Sequence, residues 1–251
     1  MSKELNKPLI IIGGSGHGCV IEACVNDNRR RFNNLEWEVK GFCNDFDSEV
    51  DGYPVLGKLC DIPRLIEEGY YFSWGIHLVA DNYKTAELFE KITIPDERLA
   101  TIIHETAFID KTVELGPGAF VMYNAYIAPR TKIGKCAMIK ANTNIGHDVV
   151  CGELSHVAMG AAVVSCSCIG RCADIAVGST MLAHTSIGDY AMLGAASLLT
   201  HNIPEGEIWV GSPAKKLRMI KQNADNKPVT NMMGGGKIIL PIYAAYNRIC
   251  A

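Results

Sequence analysis

From Ala107 to Asn202 the apolar residues return every six positions, without insertion, through sixteen consecutive units. The third residue of each unit is apolar, beginning Ile109, Leu115, Val121, Ile127 and ending Ile187, Leu193, Leu199. The first is small or β-branched, as in Ala107, Val113, Ala119, Thr131 and Ser197. An amphipathic helix repeats its apolar stripe about every 3.6 residues and a half-buried strand every second residue, so neither produces a period of six. A chain that turns a corner every six residues does. Such hexads predict a parallel β-helix, whose coils bury their inward residues only by stacking on one another.

Ahead of the repeat the pattern is different. An apolar run over 8–12 is followed at once by Gly13-Gly14-Ser15-Gly16-His17-Gly18 and then by a helix-compatible stretch over 19–25. Strand, glycine loop and helix is the order that delivers an anion to a helix N-terminus, where free N–H groups and the helix dipole favour it. The loop lacks the full G-x-G-x-x-G dinucleotide fingerprint, because counting from Gly14 the sixth place is Cys19. A tight strand-to-helix turn without a ligand stays open as the other reading. A second strand over 38–42 leads to Asn44 and Asp45, placed to meet a base or ribose at the carboxyl edge of a parallel sheet. An extended segment over 53–57, a helix over 62–68, a strand over 71–79 and a helix over 85–92 complete an α/β unit of about four strands. Its size suits a mononucleotide-like ligand better than a whole dinucleotide. The expected division is a small Rossmann-like domain over 1–100, the β-helix over 101–220 and a tail over 221–251, for which the residues suggest no role.

Composition narrows the partners. Net charge is -3 with dispersed Lys and Arg, which gives no electrostatic footprint for nucleic acid and no polybasic face for a membrane. No stretch approaches the roughly 20 apolar residues of a bilayer span, and the apolar run near the N-terminus is too short for a secretory signal, so a cytoplasmic protein is expected. In that setting the ten cysteines read as free buried thiols rather than disulfides. Cys166, Cys168 and Cys172 contain no CxxC pair and match no usual ligand spacing, so no metal is expected.

Within the repeat, outward places are where a histidine is free to react. His147 is the fifth residue of its hexad and His156 the second of another. If three hexads make a coil, their nine-residue separation puts them on different faces of one subunit, and a pocket containing both needs a second chain. Asp148, next to His147, is placed to hold the imidazole in one tautomer while it takes a proton from an acceptor, and His156 to donate toward an acyl oxygen. The other histidines, His77, His104, His184 and His201, read as packing or surface residues. His17 is set apart by its place in the glycine loop. After the last hexads, Lys215 and Lys216 follow a Gly-Ser-Pro turn, where they suit either a phosphate or a solvated charge pair.

Taken together, these motifs resemble the bacterial hexapeptide-repeat acetyltransferases of nucleotide-linked amino sugars and the related sialic acid O-acetyltransferases, the NeuD/PglD type. The similarity runs over 8–218. It is carried by GGSGHG (13–18), GFCND (41–45), TNIGHDVVCGELSHVAMGA (143–161) and GSPAKK (211–216). The resemblance implies a homotrimer of left-handed β-helices, each prefaced by a Rossmann-like domain, with acetyl-CoA in the cleft between subunits and no metal. By similarity His147 is the general base assisted by Asp148, His156 contacts the acetyl group, backbone around Ser165 faces the thioester, and Lys215 and Lys216 meet coenzyme A phosphates. Gly13, Gly14, Ser15, Gly16, His17 and Gly18 hold the diphosphate of a nucleotide sugar, and Asn44 and Asp45 its nucleoside. Three positions depart from the family pattern: Asn44-Asp45 replaces a common acidic pair, Lys84 stands near a usual arginine, and Asp148 replaces a frequent glutamate. The expected activity is acetyl-CoA-dependent N-acetylation of a nucleotide-linked deoxy-aminosugar by direct transfer, in bacterial surface glycan synthesis. O-acetylation of a sialic acid keeps the same fold, and a non-catalytic scaffold or nucleotide sensor is the rival of another class.

Overall fold

A computed structural model describes residues 5–221, and 222–251, which make up all but the first residue of the expected tail, lie outside the described residues. The N-terminal part is a sheet of five strands: β1 (Lys7–Ile12), β2 (Trp37–Cys43), β3 (Glu49–Val50), β4 (Tyr53–Gly57) and β5 (Tyr71–Trp74), in the order β3-β4-β2-β1-β5. All neighbours are parallel except the short β3, which pairs antiparallel with β4. Three helices connect them: α1 (His17–Phe32), α2 (Ile62–Glu67) and α3 (Asn82–Glu90). The centre of β1, Leu9 to Ile12, is completely buried, as a continuous apolar strand covered on both faces must be.

Helix α3 begins at Asn82 rather than 85, the short β3 adds a fifth strand to the four or so expected, and two further elements differ more widely. Helix α1 runs to Phe32, well past 25, because its polar second half is not solvent-facing throughout. Asn28 is buried, donates to the carbonyl of Ile103 (2.7 Å) and accepts from the N–H of Glu105 (3.0 Å), tying the helix to the first coil. Strand β5 stops at Trp74 rather than 79. The backbone of Gly75 passes under the glycine loop so closely that a Cβ there would lie 2.8 Å from the Ile12 carbonyl and 3.1 Å from the Gly18 Cα, and the chain turns away.

From Ile102 onward each hexad contributes a two-residue strand at its second and third places, and strands pair in parallel with those eighteen residues away, as Tyr126 with Asn144 and Met138 with His156. One coil is therefore eighteen residues, three strands and three corners. The strands stack into three faces: face I through Ile102–Ile103, Phe120–Val121, Met138–Ile139, His156–Val157 and Asp174–Ile175, face II through Tyr126–Ile127 and Asn144–Ile145, and face III through Lys132–Ile133 and Val150–Cys151. The sixth place of every hexad from Gly118 to Ala196 has positive φ, the corner conformation of a turn whose second central residue is left-handed. Face I continues into a closing hairpin, Glu207–Gly211 with Ala214–Met219.

Two sets of contacts hold this together. Inside the coils the third-place residues form one column-shaped core in which Val121, Ile127, Ile139, Ile145, Val157 and Ile175 are completely buried. Outside, face I is covered by the N-terminal part: Ile102, Phe120 and Met122 pack with Ile11, Ile21 and Phe42, and Met138, Leu154 and Cys172 pack with Ile12, Trp74 and Ala86. Truncating Ile175 to Ala removes buried methylenes from a core that cannot collapse along its axis, and should cost about 2–5 kcal/mol in urea unfolding. Lys132→Ala, on the exposed side of face III, should stay within about 0.5 kcal/mol.

Candidate active site

His147 and Asp148 are the two turn residues at a corner between faces II and III, so both side chains leave the coil outward. His147 is exposed and Asp148 half-buried, and His147 Nδ1 lies 2.6 Å from Asp148 Oδ2. Asp148 is also gripped from the preceding coil: Arg130 Nε donates to Oδ1 and Nη2 to Oδ2, both at 2.7 Å. The Arg130 guanidinium first, and the His147 hydrogen bond second, hold the Asp148 carboxyl far below the usual carboxylate range. An ionised Asp148 accepts a hydrogen bond from Nδ1–H, which leaves Nε2 of His147 as the free lone pair. One coil later Ser165 sits directly over Gly146. A Cβ on Gly146 would lie 2.6 Å from the Ser165 nitrogen, so glycine is what allows Ser165 to settle beside His147.

His156 is elsewhere. Its place on face I points into the chain's own N-terminal part, where it is buried. Nδ1 of His156 (2.9 Å) and Nε2 of His77 (3.2 Å) bond the two oxygens of Asp174, itself buried. The two imidazoles stack at 4.2 Å, and the ring of His17, at the start of α1, meets both edge-on at 5.3 and 5.8 Å. The expectation that His156 faces an open acetyl site differs from this placement: its remaining nitrogen, Nε2, is buried without a partner. His77 and Asp174, which join the cluster, were not singled out in the sequence, and His17 meets rings rather than open solvent. One signal was available. Asp174 is eighteen residues after His156, so the two share a column that otherwise carries Ile102, Phe120, Met138 and Met192. A pair of polar residues in an apolar column must be met by polar groups on whatever covers it.

Three donor groups so close suggest a metal, yet the ring geometry opposes it. A metal lies in the plane of each imidazole it binds, and the stacked planes of His77 and His156 are only 28° apart, so their lone pairs do not converge. The cluster is a buried hydrogen-bond network instead. Burial, then the charges of His77 and other neighbours, lowers His156 to about 4 against the upward pull of Asp174. Burial, then Lys140, His156 and His77, lowers His17 to about 2. Lys140, buried with its Nζ 5.1 Å from the Phe120 ring centre and no hydrogen-bond partner, is lowered to about 8 by burial.

At the carboxyl edge of the sheet, Gly13 has φ 128 and a Cβ on it would lie 2.9 Å from the Gly75 carbonyl, so the loop is closed to larger residues there. Ser15 and Gly16 are exposed, and Gly14 is half-buried beside them. Helix α1 begins with no side-chain cap and no acidic residue in its first turn, which leaves its N-terminal N–H groups available to an anion. Asn44 is buried. Its amide donates to the Gly13 carbonyl (3.2 Å) and its oxygen accepts from the N–H groups of Phe46 and Asp47 (2.9 and 2.8 Å), so it braces the loop. Asp45 accepts from the Leu59 N–H at 3.1 Å. The carboxylate at the open side of the loop belongs to Asp47, whose Oδ2 would lie 3.4 Å from a Cβ on Gly14.

In the closing hairpin Lys215 is exposed and Lys216 is paired with Glu207 at 2.6 Å. Lys84 lies on α3, paired with Glu87 at 2.9 Å. The described cysteines are all free thiols, but Cys166 and Cys168 are exposed and only Cys172 of that group is buried, because the sixth and second places face outward and only face I is covered by the N-terminal part.

Residues 8–92 match the family model of the PglD N-terminal domain. The structure of PerB from Caulobacter crescentus in complex with CoA and GDP-perosamine is 27% identical, over 85% of this chain and 99% of its own, with a TM-score of 0.72. Residues 8–92 thus carry a PglD-type N-terminal domain, and the chain is an acetyltransferase. The acetyltransferase domain of PglB from Neisseria gonorrhoeae in complex with acetyl coenzyme A shares the fold at 23% identity, over 84% of this chain and 100% of its own, with a TM-score of 0.72. WeeI from Acinetobacter baumannii does so at 24% identity, 84% and 100% coverage and a TM-score of 0.60. Among the described residues no helix of this chain is long and apolar enough to cross a membrane.

The buried network predicts an acid-sensitive fold. His17 and His156 bind protons more weakly folded than unfolded, so the unfolded chain takes up more protons as pH falls below about 6.5 and stability drops with it. Asp174, held well below its ordinary range, adds a loss in the same direction below about pH 4. Differential scanning calorimetry should show Tm falling by about 5 °C or more between pH 7 and pH 5. A Tm that stays level across that interval contradicts the assignment of neutral, buried imidazoles.

Proposed function

We propose that this chain transfers the acetyl group of acetyl-CoA to the amino group of a nucleotide-linked deoxy-aminosugar, directly and with His147 as general base. The observation that carries this is the outward His147–Asp148 pair at 2.6 Å, in a chain similar over its described length to a protein whose structure holds CoA and GDP-perosamine. The acceptor amine is neutral when it attacks. As nitrogen bonds to the thioester carbon, Nε2 of His147 takes its proton, Asp148 steadies the imidazolium, and collapse of the tetrahedral intermediate breaks the C–S bond, the imidazolium returning the proton to sulfur so that coenzyme A leaves as its thiol. Ser165, beside His147, lines the thioester through its backbone. Lys215 meets coenzyme A phosphates, with Lys216 joining it on leaving Glu207.

The nucleotide sugar is bound by residues 1–100, its diphosphate at Gly14 to His17 and the N-terminus of α1. That loop rests against face I, whereas His147 projects from the corner between faces II and III, so one chain does not bring its own loop to its own base. A homotrimer does, with each site between two β-helices. An apolar column at the corner between faces I and II supports it: Tyr123, Met159 and Val177 are each 40–47% exposed and lie in register at multiples of one coil. Beside them Phe108 and Tyr126 stack in the open at 5.3 Å. Synthesis of a bacterial surface glycan in the cytoplasm is the setting this reading implies.

Release of coenzyme A from acetyl-CoA, followed with GDP-, UDP- and dTDP-linked amino sugars, tests the reading. One nucleotide class should be turned over, and His147→Ala should lower kcat about 10²–10⁴-fold. A variant with near-normal kcat removes His147 as the base, and silence with every acceptor removes the acetyltransfer reading itself.

A further inference from the structure

At each sixth place along the corner between faces II and III the chain stacks Thr112, Arg130, Asp148, Cys166 and His184, one residue per coil. The lower part of this column is hydrogen-bonded from coil to coil. Asp110 accepts from the Thr112 hydroxyl (2.6 Å), the Thr112 hydroxyl oxygen accepts from the Arg130 backbone N–H (2.8 Å), and the Arg130 side chain forks onto both oxygens of Asp148. The last member of the chain is His147.

We infer that Arg130 is a positioning residue for the proposed reaction: its two parallel bonds set the rotamer of Asp148, and through it the tautomer and direction of the His147 ring. The inference rests on His147 being the base. Two neighbours in sequence have no intrinsic reason to keep their side chains in line, and Asp148 occupies a left-handed corner (φ 56) on a side chain with only two torsions. Both torsions are taken up by a planar donor anchored one coil away, whose own backbone is pinned by Thr112. Lysine, as a single point donor, cannot reproduce that fork.

The arrangement also shares out charge. Asp148 Oδ2 is common to Nη2 of Arg130 and Nδ1 of His147, so part of the field that would stabilise a protonated imidazole is spent on the guanidinium. Among the described residues Arg130 from the coil before and Cys166 from the coil after face the pair, and Asp110, two coils before, acts on Arg130. Removing Arg130 leaves the full charge of Asp148 to His147, and the imidazolium becomes the favoured form at higher pH.

Histidine ring nitrogens in ¹⁵N-labelled protein report this without any turnover. The native protein should show His147 with its proton on Nδ1. Arg130→Gln should raise the titration midpoint of His147 by about half a unit or more and blur the tautomer preference, and the acid limb of kcat/KM should move by the same amount while KM for acetyl-CoA stays put. Arg130→Lys should return the midpoint toward the native value yet leave kcat depressed several-fold. In an Asp148→Asn background Arg130→Gln should produce no upward shift. Arg130 has no such role if its removal leaves midpoint and tautomer unchanged, or if it raises the midpoint equally in the native and the Asp148→Asn backgrounds. Because the spectrum is read on the resting protein, a mistaken base assignment shows in the kinetics of His147→Ala alone.

Discussion

The strand backbone of each coil is satisfied by the coils on either side of it. The N–H of Lys132 goes to the carbonyl of Val149 and that of Val150 to Ser167, and so on along the axis, so eighteen residues is the quantum of the structure. This one constraint turns a linear sequence into columns. Residues with no local relation become neighbours if they differ by eighteen, and residues close in sequence become strangers if they differ by six or nine. The inward column supplies the core, the sixth-place column supplies the corners, and the chemistry is distributed along outward columns that share nothing else.

Two of those columns carry the polar groups that matter, and they solve opposite problems. At the corner of Arg130, Asp148 and Cys166 the side chains stand at the water interface, where an ion pair contributes little to stability but a fork of two hydrogen bonds can still orient a ring. On face I, His156 and Asp174 are walled in by apolar neighbours and must be matched by groups from outside the repeat, namely His77 and His17. The first arrangement leaves a nitrogen exposed for chemistry. The second uses buried polarity to fix how the glycine loop sits on the β-helix.

The hexads made the coil legible before any coordinates, since a period of six survives any change of individual residues. The corner pair His147–Asp148 was legible for the same reason, because the fifth and sixth places face outward. What escaped was tertiary. His77 stands in a loop whose path is set by the close approach of Gly75 to the glycine loop, which no periodicity encodes. Asn44 follows a strand at the carboxyl edge, and the sequence did not show that an asparagine there also serves as the natural brace for a turn, as it does toward Gly13. Helix α1 runs past its apolar stretch because Asn28 is turned inward to the backbone of the first coil, a contact no local pattern shows.

The repeat also constrains how such a chain can change its length. Deleting one hexad would keep every third-place residue in the core and every sixth-place residue at a corner, so the β-helix itself would survive. Everything downstream, however, would advance by a third of a turn. If the lost hexad lay before His156, that residue and Asp174 would leave the face that the N-terminal part covers. The fold thus tolerates a class of length changes that the function does not. In a lineage of such proteins, coils can be gained or lost only three hexads at a time wherever the chemistry is to stay on its proper side.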